Sequence, residues 1–232
     1  MEYSKEFKAA LSNFSPVEKD RLIFRLLKKD KLLSKKLYFE LIDTETTDDK
    51  RDAMEENVKE KVLLASKYIG NQKYFQTIIR KISAEITEHI KITTDKFGEI
   101  SLHILLINEI LENNEELGRQ RLTCYSFILL INEILENNEE LGRQRFDNVY
   151  KLYLYIINKI FRALILAKKL DEDYWMEIDE LLENLDKKIN SNTYLQKLCI
   201  NNGLDFNWLK CENIPDNLDQ IMKEIKSQGF LR

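Results

Sequence analysis

Apolar residues recur along this chain at the three- and four-residue spacing that lines one face of an α-helix, and polar residues between them supply start and stop signals. Ser15-Pro16-Val17-Glu18 reads as a helix start. Ser15 can accept from the free amide of Glu18, Glu18 can reach back, and Pro16 stands where its missing N–H costs nothing. Leu22, Ile23, Leu26 and Leu27 mark the apolar face that follows. After Asp30 a second short helix carries Leu33, Leu37, Phe39, Leu41 and Ile42, so residues 15–42 predict an N-terminal helical hairpin. The Thr- and Asp-rich stretch 43–49 reads as a loop ending in a cap. A third helix is expected over 50–69, closed by Gly70-Asn71, and a fourth over 73–92 with Phe75, Ile78, Ile79, Ile82, Ile86 and Ile90 as its stripe. Thr93-Thr94-Asp95 caps a fifth.

Residues 146–170 are the most hydrophobic stretch. Leu152, Tyr153, Ile156, Ile157, Ile160, Phe161, Leu164 and Ile165 cover most of a helix circumference, which predicts the element around which the others pack. Asp171-Glu172-Asp173 caps a helix over 172–190 with Trp175, Ile178, Leu181, Leu182 and Leu185. Short helices fill 193–229, broken at Asn201-Asn202-Gly203, with the last beginning at Pro215. The expected fold is all-α: one domain over residues 1–232, a multi-helix bundle or array of antiparallel helices with short loops.

Composition supports this. Only 6 glycines and 2 prolines occur in 232 residues, too little punctuation for a β-rich fold, and the chain is long enough to bury a core without disulfides or metal. The net charge of −4 gives no global attraction to nucleic acid or anionic membrane, although residues 1–36 carry ten Lys/Arg against five Asp/Glu. Three cysteines, Cys124, Cys199 and Cys211, with no CxxC spacing argue against a disulfide framework and fit a reducing compartment. The N-terminus lacks the apolar run of a signal peptide. The stretch 152–166 is interrupted by Asn158, Lys159 and Arg162, so no membrane span is expected and the expected location is cytoplasmic.

The sequence ILLINEILENNEELGRQR occupies residues 104–121 and again, without a difference, 128–145, an offset of 24 residues. Old structural repeats keep core positions and lose the rest, so identity at exposed positions such as Asn113 and Gln120 marks a recent duplication, an engineered one or a sequence error. In one unbroken helix that offset would turn the second apolar stripe by about 240°. The chain is therefore expected to break near 118–124 and fold back into an extra helix. The alternative, an outward-facing copy, would offer a surface for oligomerisation.

Candidate chemistry is sparse. Glu109 and Glu112, repeated as Glu133 and Glu136, put two carboxylates on one helix face, and Glu183 and Asp186 form a similar pair later. Facing pairs of this kind hold Mg²⁺ in all-α nucleotide pyrophosphatases, where the metal bridges carboxylate and triphosphate oxygens. In a chain with 40 acidic residues such pairs also arise on ordinary solvated faces. His89 and His103 have no Ser or Cys nearby in sequence to activate, and they read as packing or surface residues. His103 has Phe127 at the same place in the second copy. The cysteines read as small buried hydrophobes. Arg25, Lys28, Lys29, Lys31, Lys35 and Lys36 could touch phosphates, but Asp30 interrupts the run and no aromatic platform flanks it.

Several stretches carry a resemblance: Ser15–Asp20 reads SPVEKD, 25–30 reads RLLKKD, 37–41 reads LYFEL, 88–93 reads EHIKIT, 95–99 reads DKFGE and 202–209 reads NGLDFNWL. They resemble a family of small all-helical proteins of flavobacteria-type bacteria, most without an assigned function and some bearing a dUTP-hydrolase label. The resemblance spans most of residues 1–210. It implies an all-helical fold and, through that label, nucleotide hydrolysis, but it carries over no catalytic residue. The family has one copy of the repeated segment, so the duplication is a departure.

The leading expectation is a non-enzymatic helical protein acting through an unidentified protein partner or self-association, with no cofactor or metal. The alternative is a Mg²⁺-dependent, dUTPase-like nucleoside triphosphate pyrophosphatase using Glu109, Glu112, Glu183 and Asp186. Nucleic-acid binding ranks below both.

Overall fold

Side-chain caps start most of the helices in the computed structural model, which describes residues 3–68, 71–113 and 139–231. Ser4 caps α1 (Lys5–Ser12), a helix the apolar pattern did not reveal. Ser15 and Glu18 form the expected reciprocal box at α2 (Pro16–Lys29), and Asp30 ends that helix while capping α3 (Lys31–Leu41). Thr46 and Asp49 form a second box, so α4 (Thr47–Ser66) starts three residues earlier than expected. Asn71 caps α5 (Gln72–Thr93) and Asp95 caps α6 (Lys96–Glu112). Then come α7 (Glu139–Ala167), α8 (Trp175–Ser191), α9 (Thr193–Asn201) and α10 (Leu218–Ser227). Asp171 caps a 3-10 turn at Glu172–Tyr174 ahead of α8, and further 3-10 turns lie at Phe206–Trp208 and Cys211–Asn213. Among the described residues there is no strand, and no helix is long and apolar enough to cross a membrane.

The centre of the core is α6, not the helix over 146–170 expected from its hydrophobic run. Helices α4, α5, α7 and α8 all pack on α6, burying Ile100, Leu102, Ile104, Leu106, Ile107, Ile110 and Leu111 together with Ser101 and Asn108. Packing from four sides leaves no exposed face along most of its length. Helix α7 buries Leu152, Ile156, Ile157, Ile160, Phe161 and Leu164 but keeps one polar face through Lys151, Tyr155, Asn158, Lys159 and Arg162. Those positions fall at i, i+4, i+7, i+8 and i+11, on one side of the helix.

Two local arrangements fix the entry to α6. The Asp95 carboxylate accepts from the Gly98 amide at 2.8 Å and pairs with Arg51 of α4 at 2.8 Å, while the Arg51 guanidinium lies over the Phe97 ring. A Cβ on Gly98 would stand 2.2 Å from Asp95 Oδ2, so the position admits only glycine while that carboxylate stays in place. Thr94, which closes α5, adopts a left-handed φ of 57°.

Helices α1, α2 and α3 bury no residue completely. Helix α3 lies along α5 and α2 along α3, with Leu22, Leu27, Leu32, Leu37 and Phe39 only half-buried. Of the duplicated segment, 104–112 lie in α6 and the second copy ends inside α7. The expected break near 118–124 and the extra helix fall outside the described residues.

Candidate functional site

The carboxylates singled out for Mg²⁺ lie on two packed helices, α6 and α8, yet each has its own neighbour. Glu109 accepts from Asn113 at 3.4 Å and lies toward Lys59 of α4, whose pKa is raised first by its hydrogen bond to Glu56 and least by Glu109. Glu112 pairs with Lys188 at 2.8 Å, and the same ammonium donates to the Asn108 carbonyl at 3.1 Å. A protein cation thus stands at the α6–α8 seam. Glu183 pairs with Lys187 of its own helix at 2.7 Å, and Asp186 accepts from Asn190 at 3.0 Å. Among the described residues no group of three His, Cys, Asp or Glu side chains is placed to hold a metal ion.

The histidines are held neutral. His103 Nδ1–H donates to the Glu99 carbonyl at 2.7 Å, and burial, reinforced by Lys159 and Arg162, pushes its pKa down to about 4. Burial also lowers His89, whose Nε2 is buried with no hydrogen-bond partner. Cys199 and Cys211 are buried and pushed up to about 12 by burial, which leaves both thiols protonated and unreactive. Cys124 lies outside the described residues.

Two surfaces that the sequence analysis did not assemble stand out. The first is on α2 and α3. Val17, Arg21, Phe24 and Lys28 share one face of α2 at i, i+4, i+7 and i+11, all exposed, with Phe24 63% accessible. Lys31, Lys35, Tyr38, Leu41 and Ile42 share an exposed face of α3, with Leu41 77% accessible. Lys35 pairs with Glu88, while Arg21, Arg25, Lys28, Lys29 and Lys31 make no ion pair among the described residues. Its electrostatic opposite is the outer face of α8, where Met176, 75% accessible, stands among exposed Glu177, Glu180 and Glu183.

The second is a cleft of about 300 Å³ between α5, the polar face of α7 and the C-terminal segment, lined by Arg80, Lys151, Leu154, Tyr155, Asn158, Lys159, Arg162 and Leu231. Asn158 donates to the Leu154 and Leu231 carbonyls at 3.0 and 3.2 Å, and the Leu231 amide donates to Asn202 at 3.1 Å, so the rim is fastened at both ends. Lys159 Nζ donates to Ser83 Oγ at 2.6 Å and lies 5.8 Å from the Tyr155 ring centroid. Burial first, then the Arg162 charge, lower the Lys159 pKa to about 8. The signal was present in the sequence, since Asn158, Lys159 and Arg162 interrupt the apolar run on one side of the helix. Arg80, 71 positions before Lys151, cannot be joined to them without the fold. Comparison with protein-family models, with curated proteins and with solved structures finds no match to this chain, so its function is argued from its own residues.

Proposed function

We propose that this protein is a non-enzymatic self-association module in which the basic, apolar face of α2 and α3 of one copy docks on the acidic face of α8 of a second. The observation that carries the reading is the N-terminal hairpin itself: Val17, Phe24, Tyr38, Leu41 and Ile42 are exposed on helices that bury nothing completely. Exposed apolar side chains gathered on one face mark interaction surfaces. Arg21, Arg25, Lys28 and Lys29 around them, which make no ion pair among the described residues, favour an acidic partner, and the chain carries one in Glu177, Glu180 and Glu183 around Met176. Exposed ion pairs add little affinity but set orientation and partner choice, whereas Phe24 and Met176 supply buried anchors. Each copy holds both surfaces, so a two-fold dimer makes the contact twice and closes.

Sedimentation or light scattering on the full chain tests this. The wild type is expected to be dimeric at micromolar concentration and to associate more slowly in high salt, and Arg21→Glu/Lys28→Glu, which sets like charges against the acidic face, should be monomeric. Adding Glu180→Lys/Glu183→Lys to that variant should restore the dimer. A wild type that stays monomeric, or a charge swap that fails to restore association, overturns the assignment. Metal-dependent release of pyrophosphate from dUTP by the purified chain would overturn its non-enzymatic part.

A further inference from the structure

We propose that the cleft between α5, α7 and the C-terminal segment binds a small phosphomonoester, its phosphate held by Arg80, Lys159 and Arg162 and its carbon framework lying on Leu154 and Tyr155.

The first argument is charge. Arg80, Lys159 and Arg162 line one cavity, and none makes an ion pair among the described residues. Arg80 and Arg162 are exposed and Lys159 is partly buried; elsewhere the partly buried Arg51 and Lys188 are paired, with Asp95 and Glu112. Gathering like charges in a concave, partly desolvated site is unfavourable unless an anion joins them. Glu99 of α6 lies near enough to act weakly on Lys159 but makes no bond to it; of the other titratable groups beside this lysine, His103 of α6 is neutral and so is the Tyr155 hydroxyl, whose pKa burial raises. Burial, and after it the Arg162 charge, lower the Lys159 pKa, and Glu99 offsets them only in part.

The second argument is construction. Lys159 is held by Ser83, itself buried, through one of its three N–H donors, leaving two to meet an oxyanion. Arg80 and Arg162 reach in from different helices and can each offer a fork of parallel donors. Asn158 and Asn202 hold Leu231 in a left-handed conformation, φ 59°, where it walls the cavity; a leucine is kept there only when its surroundings hold it. The third argument is shape. A volume of about 300 Å³ lies at the small end of ligand sites and has an apolar floor, which suits one phosphate with a compact organic group. A nucleic acid would need a cationic track longer than this cleft offers.

Isothermal titration of the full chain with adenosine 5′-monophosphate, inorganic phosphate and a short single-stranded oligonucleotide lacking terminal phosphates tests the assignment. Saturable binding of the nucleotide is expected, with phosphate weaker and the oligonucleotide weaker still. Removing either exposed guanidinium, Arg80→Gln or Arg162→Gln, should weaken nucleotide binding roughly tenfold or more, the effect of losing a charge-assisted bond. Titrations near pH 8 in buffers of different ionisation heat should show proton uptake on binding, and Lys159→Met should abolish that uptake. The proposal is overturned by absence of saturable nucleotide binding at low-millimolar concentration, by unchanged affinity in both arginine variants, or by tighter binding of the oligonucleotide. None of these outcomes depends on whether the chain dimerises.

Discussion

Helix α6 and the hairpin of α2 and α3 are built from similar residues and reach opposite ends. Both open on a side-chain cap, Asp95 in one and Ser15 in the other, and both are rich in Leu and Ile. The residues of α6 lie under four neighbouring helices, so Ile107 is 1% accessible. Among the described residues the hairpin packs mainly on α5, through α3, and Phe24 stays exposed. Apolar content therefore does not make a core; the number of surfaces brought against a helix does.

Substitution breaks the comparison most sharply. Ile107→Ala should cost about 4 kcal/mol by denaturant unfolding, the transfer term plus an unrelaxed cavity. Phe24→Ala should change the stability of the monomer, read at high salt and low protein concentration, by no more than about 0.5 kcal/mol, because the side chain is exposed within one copy. A large cost at Phe24 would mean that the hairpin is part of the core.

Acid comes next, chiefly through a group on α6. His103 has its folded pKa lowered to about 4 from 6.5, so between those values the unfolded chain binds more protons and stability falls as pH falls. The loss should reach about 3 kcal/mol by pH 4 and add nothing above pH 6.5. His103→Phe, the residue found at the same place in the second copy, should flatten that part of the stability–pH profile. His89 contributes in the same direction, and the hairpin has no histidine.

Caps give the smallest contrast. Gly98→Ala forces the Asp95 carboxylate away from both its amide and Arg51, and should cost about 2 kcal/mol of global stability. Ser15→Ala should cost about 1 kcal/mol, read as faster amide exchange in α2 rather than a shift in global unfolding. Equal effects of the two changes on global unfolding would show the hairpin and the core to be one cooperative unit.

What was legible in the chain were the features whose partners lie three or four residues apart. Ser15 with Glu18 and the Thr93-Thr94-Asp95 cap could be read directly, as could the helical periodicity and therefore the all-α fold. The candidate sites were less legible, because a carboxylate's meaning depends on what faces it. Glu112 belongs to an acidic pair in the sequence, yet Lys188, 76 positions away, neutralises it.

By itself, then, the amino-acid sequence determined which segments coil and where most begin, since caps and apolar stripes act within a turn or two of backbone. Only the tertiary structure decided that α6 is central, that the hairpin keeps Phe24 and Leu41 in solvent, and that Arg80 joins Lys159 and Arg162 around one cavity. Those outcomes rest on contacts between residues far apart in the chain, whose strength depends on burial and on which charges are brought together.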